Sequence, residues 1–477
     1  MLADTTDRLK LRSFKLLKIL TILANGETIN NLIRFDSNEP IWIDNANELE
    51  QLSLLEVISS NKVVSQISGS STQQIKILRV PRQIRDYINT IITEGERDDI
   101  IKSACNLYFG NKWREGNIKN IQTSSLYGHN KFLNIDNCHL ILKNLLSNAF
   151  KLDSDFEIER ASLISINFCD HVYNIGDYKN SISTSEEIYS LLKSTSLNHL
   201  KVAITKLYGE SLRMAGYKEK AIVYLKEALV IDGDFLSKVD KNEINVELGY
   251  TYIQQSKFDK AIECAKEIEK NSSPRSSQKI QAKYILAQAT LKGEDLIKKL
   301  RALETEAKKQ DIQSLANTLS LRISRLIANK EEKTKRLTKI LETPKDDYNK
   351  IRAIVEKSLD TVNEGGLVSD EDLYLLNLAY SYLYSQRLQV LFTNCHTALW
   401  LYCMNEGKYN DLLNLFRHSS LVWRISGEIE LEREYFNKLE QIEGLKIDEV
   451  TKPGSNSTNF EYYRRRKIEF NSPKLLN

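Results

Sequence analysis

The sequence predicts a mainly α chain: a small N-terminal domain containing one β-hairpin, followed by a solenoid of stacked helical pairs. Three observations predict it. Gly and Pro number only 18 and 6 in 477 residues, too few for the many turns of an all-β chain. A motif recurs every 40 residues, as GDYKNSI from Gly176, GYKEKAI from Gly216 and SKFDKAI from Ser256. Self-similarity at such a period marks a repeat architecture. Before the repeats, IKILRVPRQIRDYINTII, residues 75–92, breaks an apolar run at Val80-Pro81 and restarts an amphipathic pattern.

The elements follow in order. Leu9, Phe14, Leu17, Leu20 and Ile22 stand among Lys and Arg, which suits a first helix that ends at Asn25-Gly26. Thr28 is placed to cap a short second helix, INNLIRF. Asn47, with Glu50 three positions on, is placed to cap a third, ELEQLSLLEVI. VVSQIS, a polar turn GSSTQQ and IKILRV then read as a hairpin. Val80 is held extended by the following proline, and Pro81 suits the first turn of a fourth helix. There Ile84, Tyr87, Ile88, Ile91 and Ile92 make one apolar stripe. Helix, helix, helix, hairpin, helix is the order of a winged-helix domain, assigned to residues 1–92.

Many winged helices bind DNA, so charge decides. Residues 1–92 hold eleven Lys/Arg and ten Asp/Glu, and the helix expected to enter the major groove, 47–58, carries Glu48, Glu50 and Glu56 with no basic residue. DNA binders neutralise several phosphates, so DNA is disfavoured as a partner.

LEQLSLLEVIS, the hairpin and LRVPRQIRDYI, with its Arg85-Asp86-Tyr87, resemble the winged-helix part of STAND (NB-ARC-type) signalling NTPases. In that family it follows a nucleotide-binding core and precedes a repeat sensor. The resemblance covers the first 92 residues. No GxxxxGK[ST] occurs in the chain, so no phosphate-binding loop is expected and no nucleotide cofactor.

Residues 93–113 read as continued helix, and REGNIKNIQTSSLYGHNKFLNIDN as a loop, so 93–136 is expected to be a helix and linker. Helical repeats are assigned to 137–440 and a flexible tail to 441–477. In the third copy Leu248, Gly249, Tyr252, Phe258 and Ala261 resemble tetratricopeptide (TPR) signature positions; in the second Gly209, Gly216, Ala221, Ala228 and Leu229 do. The first is weaker, with Ser181 where Ala is usual. A period of 40 against the usual value of about 34 implies longer helices or turns. WLYCMNEGKYNDLLNLF repeats the Gly-x-aromatic turn at Gly407 and Tyr409, and a helix over 420–440 is expected to cap the array. The fold class is therefore mainly α: an N-terminal winged helix, then a TPR-like α-solenoid.

Other patterns point to no chemistry. Cys138-His139 and Cys395-His396 lack the further ligands that a zinc site needs, so no metal is expected, and no catalytic motif occurs. The six cysteines never form CxxC, which fits a reducing cytoplasm. No apolar run reaches the roughly 18 residues of a membrane span. The first twenty residues read as an amphipathic helix rather than a signal peptide. Residues 321–340 carry seven Lys/Arg against two Glu and read as a solvated helix face.

The functional expectation is a non-enzymatic sensor. Its repeats bind a protein or peptide trigger in their groove, with Asn167, Arg213 and Asn245 as candidate contacts. The family resemblance implies that the winged helix packs on a nucleotide-binding core in another chain, in a phage-defence or regulatory system. The alternative is a DNA-binding transcription regulator with a peptide-sensing repeat domain.

Overall fold

The computed structural model describes residues 7–36, 39–61, 74–116, 135–174, 178–231, 236–273, 276–343, 346–386, 389–425 and 428–442. Of the expected loop, 114–137, residues 117–134 lie outside them, and its last three residues instead begin a helix; of the expected tail, 441–477, residues from 443 lie outside them. The chain forms two compact units, Met1–Ala398 and Leu399–Asn477. No helix among the described residues is long and apolar enough to cross a membrane.

The first unit opens with α1 (Arg8–Ile22), capped by Asp7, whose carboxylate accepts from the Leu9 N–H at 2.9 Å. Leu16, Leu17, Ile19 and Leu20 are its buried face. Gly26 (φ +78°) turns the chain, and a Cβ there would lie 2.7 Å from the Leu78 carbonyl oxygen. Then come β1 (Glu27–Thr28), α2 (Ile29–Ile33), α3 (Ile43–Gln51), β2 (Glu56–Asn61), β3 (Gln74–Arg79) and α4 (Arg82–Ile91). The sheet is antiparallel in the order β1-β3-β2, with Glu27 opposite Leu78 and Ile58 opposite Ile77.

Three expectations change here. The third helix starts at Ile43, not after Asn47: the Asn45 side chain accepts from the Trp42 N–H at 2.9 Å and fixes the first turn. It ends at Gln51 because Ser53 takes φ +56° and the Leu54 N–H returns to the Leu49 carbonyl at 2.9 Å. Glu56 therefore opens a strand rather than lying on a helix. That strand replaces VVSQIS as the first arm of the hairpin; VVSQIS lies outside the described residues. Lastly, Ile88 of α4 and Ile92 just after it are buried and Ile84 packs against the core, but Tyr87 and Ile91 are exposed, so only part of the expected stripe is core.

Helix α5 (Glu94–Phe109) is separate from α4, since Thr93 and Glu96 cap each other's backbone N–H groups. One apolar core runs from Leu16 in α1 through Ile88, Tyr108 and Phe109 to Cys138 in α6 (Ile135–Lys151) and Phe168 in α7 (Asp155–Asn174). A buried polar network crosses the same region. Glu27, fully buried, accepts from the Tyr108 hydroxyl at 2.5 Å and the Asn31 amide at 3.0 Å. Asn137 donates to the Gly26 carbonyl at 2.8 Å.

The helices that follow pack in consecutive antiparallel pairs as a TPR-like solenoid: α7 with α8 (Tyr178–Leu192), α9 (Asn198–Met214) with α10 (Lys218–Ile231), α11 (Lys238–Gln254) with α12 (Phe258–Asn271), α13 (Ser277–Thr290) with α14 (Gly293–Lys309), α15 (Gln313–Ser324) with α16 (Lys330–Leu341), and α17 (Asp347–Asn363) with α18 (Asp370–Gln386). The repeated turn has a backbone cause. Gly216 (φ +94°) and Ser256 (φ +57°) are both left-handed, and the next N–H returns to the carbonyl five residues back, Tyr217 to Leu212 at 2.8 Å and Lys257 to Tyr252 at 2.9 Å. Asp311, Gly365 and Gly407 close their helices in the same way. Gly209 meets Leu225 of its own pair, whereas Gly249 meets Ile285 on α13 of the next. Ser181 is accommodated because its hydroxyl bonds that of Ser211 at 2.7 Å.

Helix α19 (Gln389–Asn405) contains the division between the units. In the second unit, Gly407 turns the chain into α20 (Tyr409–Ile425), and α21 (Ile429–Glu440) follows. The expected helix 420–440 is thus two helices. Trp423 stacks on Tyr435 with ring centroids 5.1 Å apart. Glu432, almost fully buried, accepts from Arg424 Nε at 2.6 Å.

Candidate functional site

The first helices of neighbouring pairs pack side by side: α7 on α9, α9 on α11, α11 on α13, and α15 on α17. Residues three and four apart share a helix face. Lys206, Glu210 and Arg213 therefore form one stripe on α9, and Glu243, Glu247 and Tyr250 form one on α11. Asp170 and Tyr173 extend the row on α7, and Tyr284 extends it on α13. Lys206 pairs with Glu243, and Arg213 with Glu247. The Arg213 guanidinium also lies over the Tyr250 ring, 5.8 Å from its centroid, and Tyr250 meets Tyr284 at 6.0 Å. Tyr348 on α17 and Tyr382 on α18 act electrostatically on Tyr178, and Tyr348 also acts on Tyr173. Side chains from helices far apart in the chain thus act on this row, whose side of the solenoid is taken as the channel.

The charges in this channel are not balanced. Burial, reinforced by the neighbouring Glu247 and only partly opposed by Lys206 and Arg213, pushes the Glu210 carboxyl up to about 8. Asp170 is also raised by burial. Arg213 stays charged because, although burial works against its charge, the Glu247 carboxylate outweighs that cost. Further along, Arg322 of α15, Arg325 just after it and Arg352 of α17 act electrostatically on the buried Tyr284, and Arg352 lies over the Tyr348 ring, 5.6 Å from its centroid. Nothing in this set resembles a nucleophile with its base. Cys138 and Cys395 are buried, with thiols pushed up by burial. His139 bonds Thr184 and Glu187 at 2.6 and 3.1 Å. Among the described residues, no three His, Cys, Asp or Glu side chains are grouped as metal ligands.

Of the three residues picked from sequence, Arg213 lies in the channel stripe. Asn167 instead donates to the Gly116 carbonyl at 2.5 Å, tying α7 to the turn after α5. Asn245 donates back to the Lys241 carbonyl at 2.9 Å and, two residues from Glu243 and Glu247, falls on another face of α11. The remaining channel groups were missed. Their contacts are staggered by 37 residues for Lys206–Glu243 and 34 for Arg213–Glu247, so the 40-residue motif does not align them. The signal that was available is polar residues at i, i+4 and i+7 on two successive first helices. Most of the basic run 321–340 is used in ion pairs: Arg325 with Glu356, Lys330 with Glu364, Lys333 with Asp360, and Arg336 with Glu304.

The chain is a TPR-like helical repeat protein. No protein-family model matches the sequence, and no curated protein matches it either. Among solved structures it is similar to a Rap protein complexed with competence and sporulation factor, at 12% identity and TM-score 0.41, covering 70% of this chain and 92% of that one. It is also similar to the Rap conjugation gene regulator of plasmid pLS20 in complex with a Phr* peptide, at 13% identity and TM-score 0.37, covering 79% and 98%. A third is a STAND protein with a tetratricopeptide-repeat sensor from Pyrococcus horikoshii, at 13% identity and TM-score 0.34, covering 91% and 68%.

Proposed function

We propose that this protein is a non-enzymatic sensor whose channel binds an extended peptide or protein segment, and whose N-terminal module transmits occupancy to a protein partner. The observation that carries the reading is the row of half-buried charged and aromatic side chains on α7, α9, α11 and α13. Glu210 in that row is held in an unfavourable environment. Ionising such a buried carboxyl costs stability, and a group of this kind is retained where a site needs it. A ligand cation would relieve it, and Tyr173, Tyr250 and Tyr284 supply apolar surface beside it.

The N-terminal module has the order helix, strand, helix, helix, hairpin, helix, which supports the winged-helix assignment. The exposed face of α3 favours a protein partner over DNA. Trp42 and Ile43 are 51% and 59% exposed, and Asp44, Asn47 and Glu50 accompany them with no basic residue. A protein surface covers apolar side chains beside acids; a phosphate backbone repels that combination. By the family resemblance, the partner is a nucleotide-binding core.

The test is capture of short random peptides by the purified full chain. The protein should enrich a definable set of sequences, and Tyr250→Ala combined with Glu247→Gln should lose them. Enrichment no better than with the double variant would sink the reading of the channel. Duplex DNA should not be retained at physiological salt; salt-resistant, sequence-selective retention would replace the protein-packing role with DNA recognition.

A further inference from the structure

The start of α1 carries charge that the fold leaves unanswered. Further along the same helix, Lys15 pairs with Asp36 at 2.6 Å and Glu39 at 2.7 Å, and Lys18 pairs with Glu96 at 2.5 Å. Arg8, Lys10 and Arg12 have no side-chain hydrogen bond or ion pair among the described residues, although Lys10 and Arg12 are half-buried. The same end of α1 is held against the start of α3 by one side chain. The Asn45 amide nitrogen donates to the Leu9 carbonyl at 3.1 Å and to the Ser13 hydroxyl at 3.2 Å, while the Asn45 amide oxygen accepts from the Trp42 N–H at 2.9 Å. A single amide thus spans the Leu9 and Trp42 backbones and makes the two residues neighbours. Leu9, Trp42 and Ile43 are all exposed, and together they form an apolar strip across the two helices. On α1 the strip is flanked by the unpaired cations, with Arg8 and Arg12 four residues apart on one face. On α3 it is flanked by Asp44 and Glu50, both exposed and neither in an ion pair among the described residues.

We infer that this strip receives an amphipathic helix of a protein partner, acidic along the flank that meets α1 and basic along the flank that meets α3. The inference rests on the reading of the N-terminal module as one that docks on protein, and it names the chemistry of the partner. Exposed Trp, Ile and Leu side by side are covered favourably by apolar side chains. A cation half-withdrawn from water gains most when a carboxylate meets it, and a guanidinium matches both carboxylate oxygens. The order of charge across the strip rules against simpler occupants. A phosphate backbone or an anionic membrane surface would neutralise Arg8, Lys10 and Arg12 but would be repelled by Asp44 and Glu50 on the same surface. A helix presents residues three and four apart as one apolar stripe and can carry opposite signs on its two flanks. That is the complement of cation, apolar strip and anion in this order.

Two measurements on the full chain test it. In the first, the purified protein selects from a displayed library of helices of roughly 18 residues, long enough to hold helical structure. All share one apolar stripe and carry random Asp, Glu, Lys, Arg or Gln on both flanks. The enriched helices should be acidic on one flank and basic on the other, and helices basic on both flanks should be left behind. In the second, one enriched helix bearing a fluorophore is titrated with the protein. Arg8→Glu/Arg12→Glu should weaken binding by about tenfold or more, because two attractions become repulsions. Changing the acidic flank of the helix to lysine should restore binding to that variant, and Trp42→Ala should abolish it. Acidic residues favour a helix start, so the charge-reversed variant should melt near wild type. Enrichment that needs Trp42 but ignores the sign of the flanks would overturn the inference and leave the protein-docking reading standing. Enrichment of no helix would overturn it as well. Concentration-dependent dimerisation that Trp42→Ala removes would give the strip to a second copy of the chain and likewise overturn it. Retention of duplex DNA or anionic vesicles, lost in Arg8→Glu/Arg12→Glu, would overturn both the inference and the protein-docking reading.

Discussion

Glu210 shows what one residue reveals. Its carboxyl is raised to about 8 by burial and by Glu247. A folded-state value above the unfolded one means that its contribution to stability is complete below the ordinary carboxylate range and is lost as pH rises towards about 8. Glu210→Gln should therefore raise the melting temperature at pH 8 more than at pH 5. Melting curves across that range check it; equal shifts at both ends would show that the charge is already compensated. Glu304 has the opposite sign. Although burial raises its carboxyl, hydrogen bonds from Lys308 and Arg336 outweigh this and hold it low. Its stabilisation is present above the usual carboxylate range and is lost as pH falls below it. Glu304→Gln should therefore cost most near neutrality and least near pH 3. Neither carboxylate was singled out in the sequence, because each depends on partners from other helices. Arg213 was picked because it lies near the repeat signature, three residues before the Gly216 turn that the repeat makes visible.

At the level of elements, the helical pairs were legible and their edges less so. Gly216 and Gly407 announce their turns, but Ser256 adopts the same left-handed conformation without glycine's signature, and only the 40-residue spacing gives it away. Ser53 does the same with no repeat to help, which is why the strand from Glu56 was read as helix. Ser256→Gly should be neutral or stabilising by up to about 1 kcal/mol, whereas a β-branched residue there should destabilise. The two packing glycines should differ. A Cβ at Gly209 would lie 2.7 Å from Leu225 Cγ and 3.2 Å from its backbone nitrogen, while one at Gly249 meets chiefly the flexible Ile285 Cδ1. Gly209→Ala should cost about 1–3 kcal/mol and Gly249→Ala less. Denaturant melts of both variants, with equal losses, would contradict this ordering.

The molecule as a whole was legible as a helix-and-hairpin start followed by a solenoid, because patterning and punctuation are local. How the start is joined to the solenoid was not, because the joint is made by residues far apart in sequence. Glu27, Tyr108 and Asn137 meet in one buried network. Tyr108→Phe should leave the buried carboxylate short of a donor and cost about 1–3 kcal/mol. A loss no greater than that of an exposed Tyr217→Phe control would show that water replaces the hydroxyl.

That joint also bears on heredity. Recombination readily moves sensor and effector segments between genes when each carries its own interior. Here the first 92 residues would leave behind Tyr108, which satisfies their buried carboxylate, and Asn137, which holds the Gly26 turn. They would also leave behind Phe109 and Phe168, which finish their apolar interior. A lineage that exchanged this segment at residue 92 would inherit an unfinished fold. The N-terminal module and the first repeat helices are therefore expected to descend together as one inherited block.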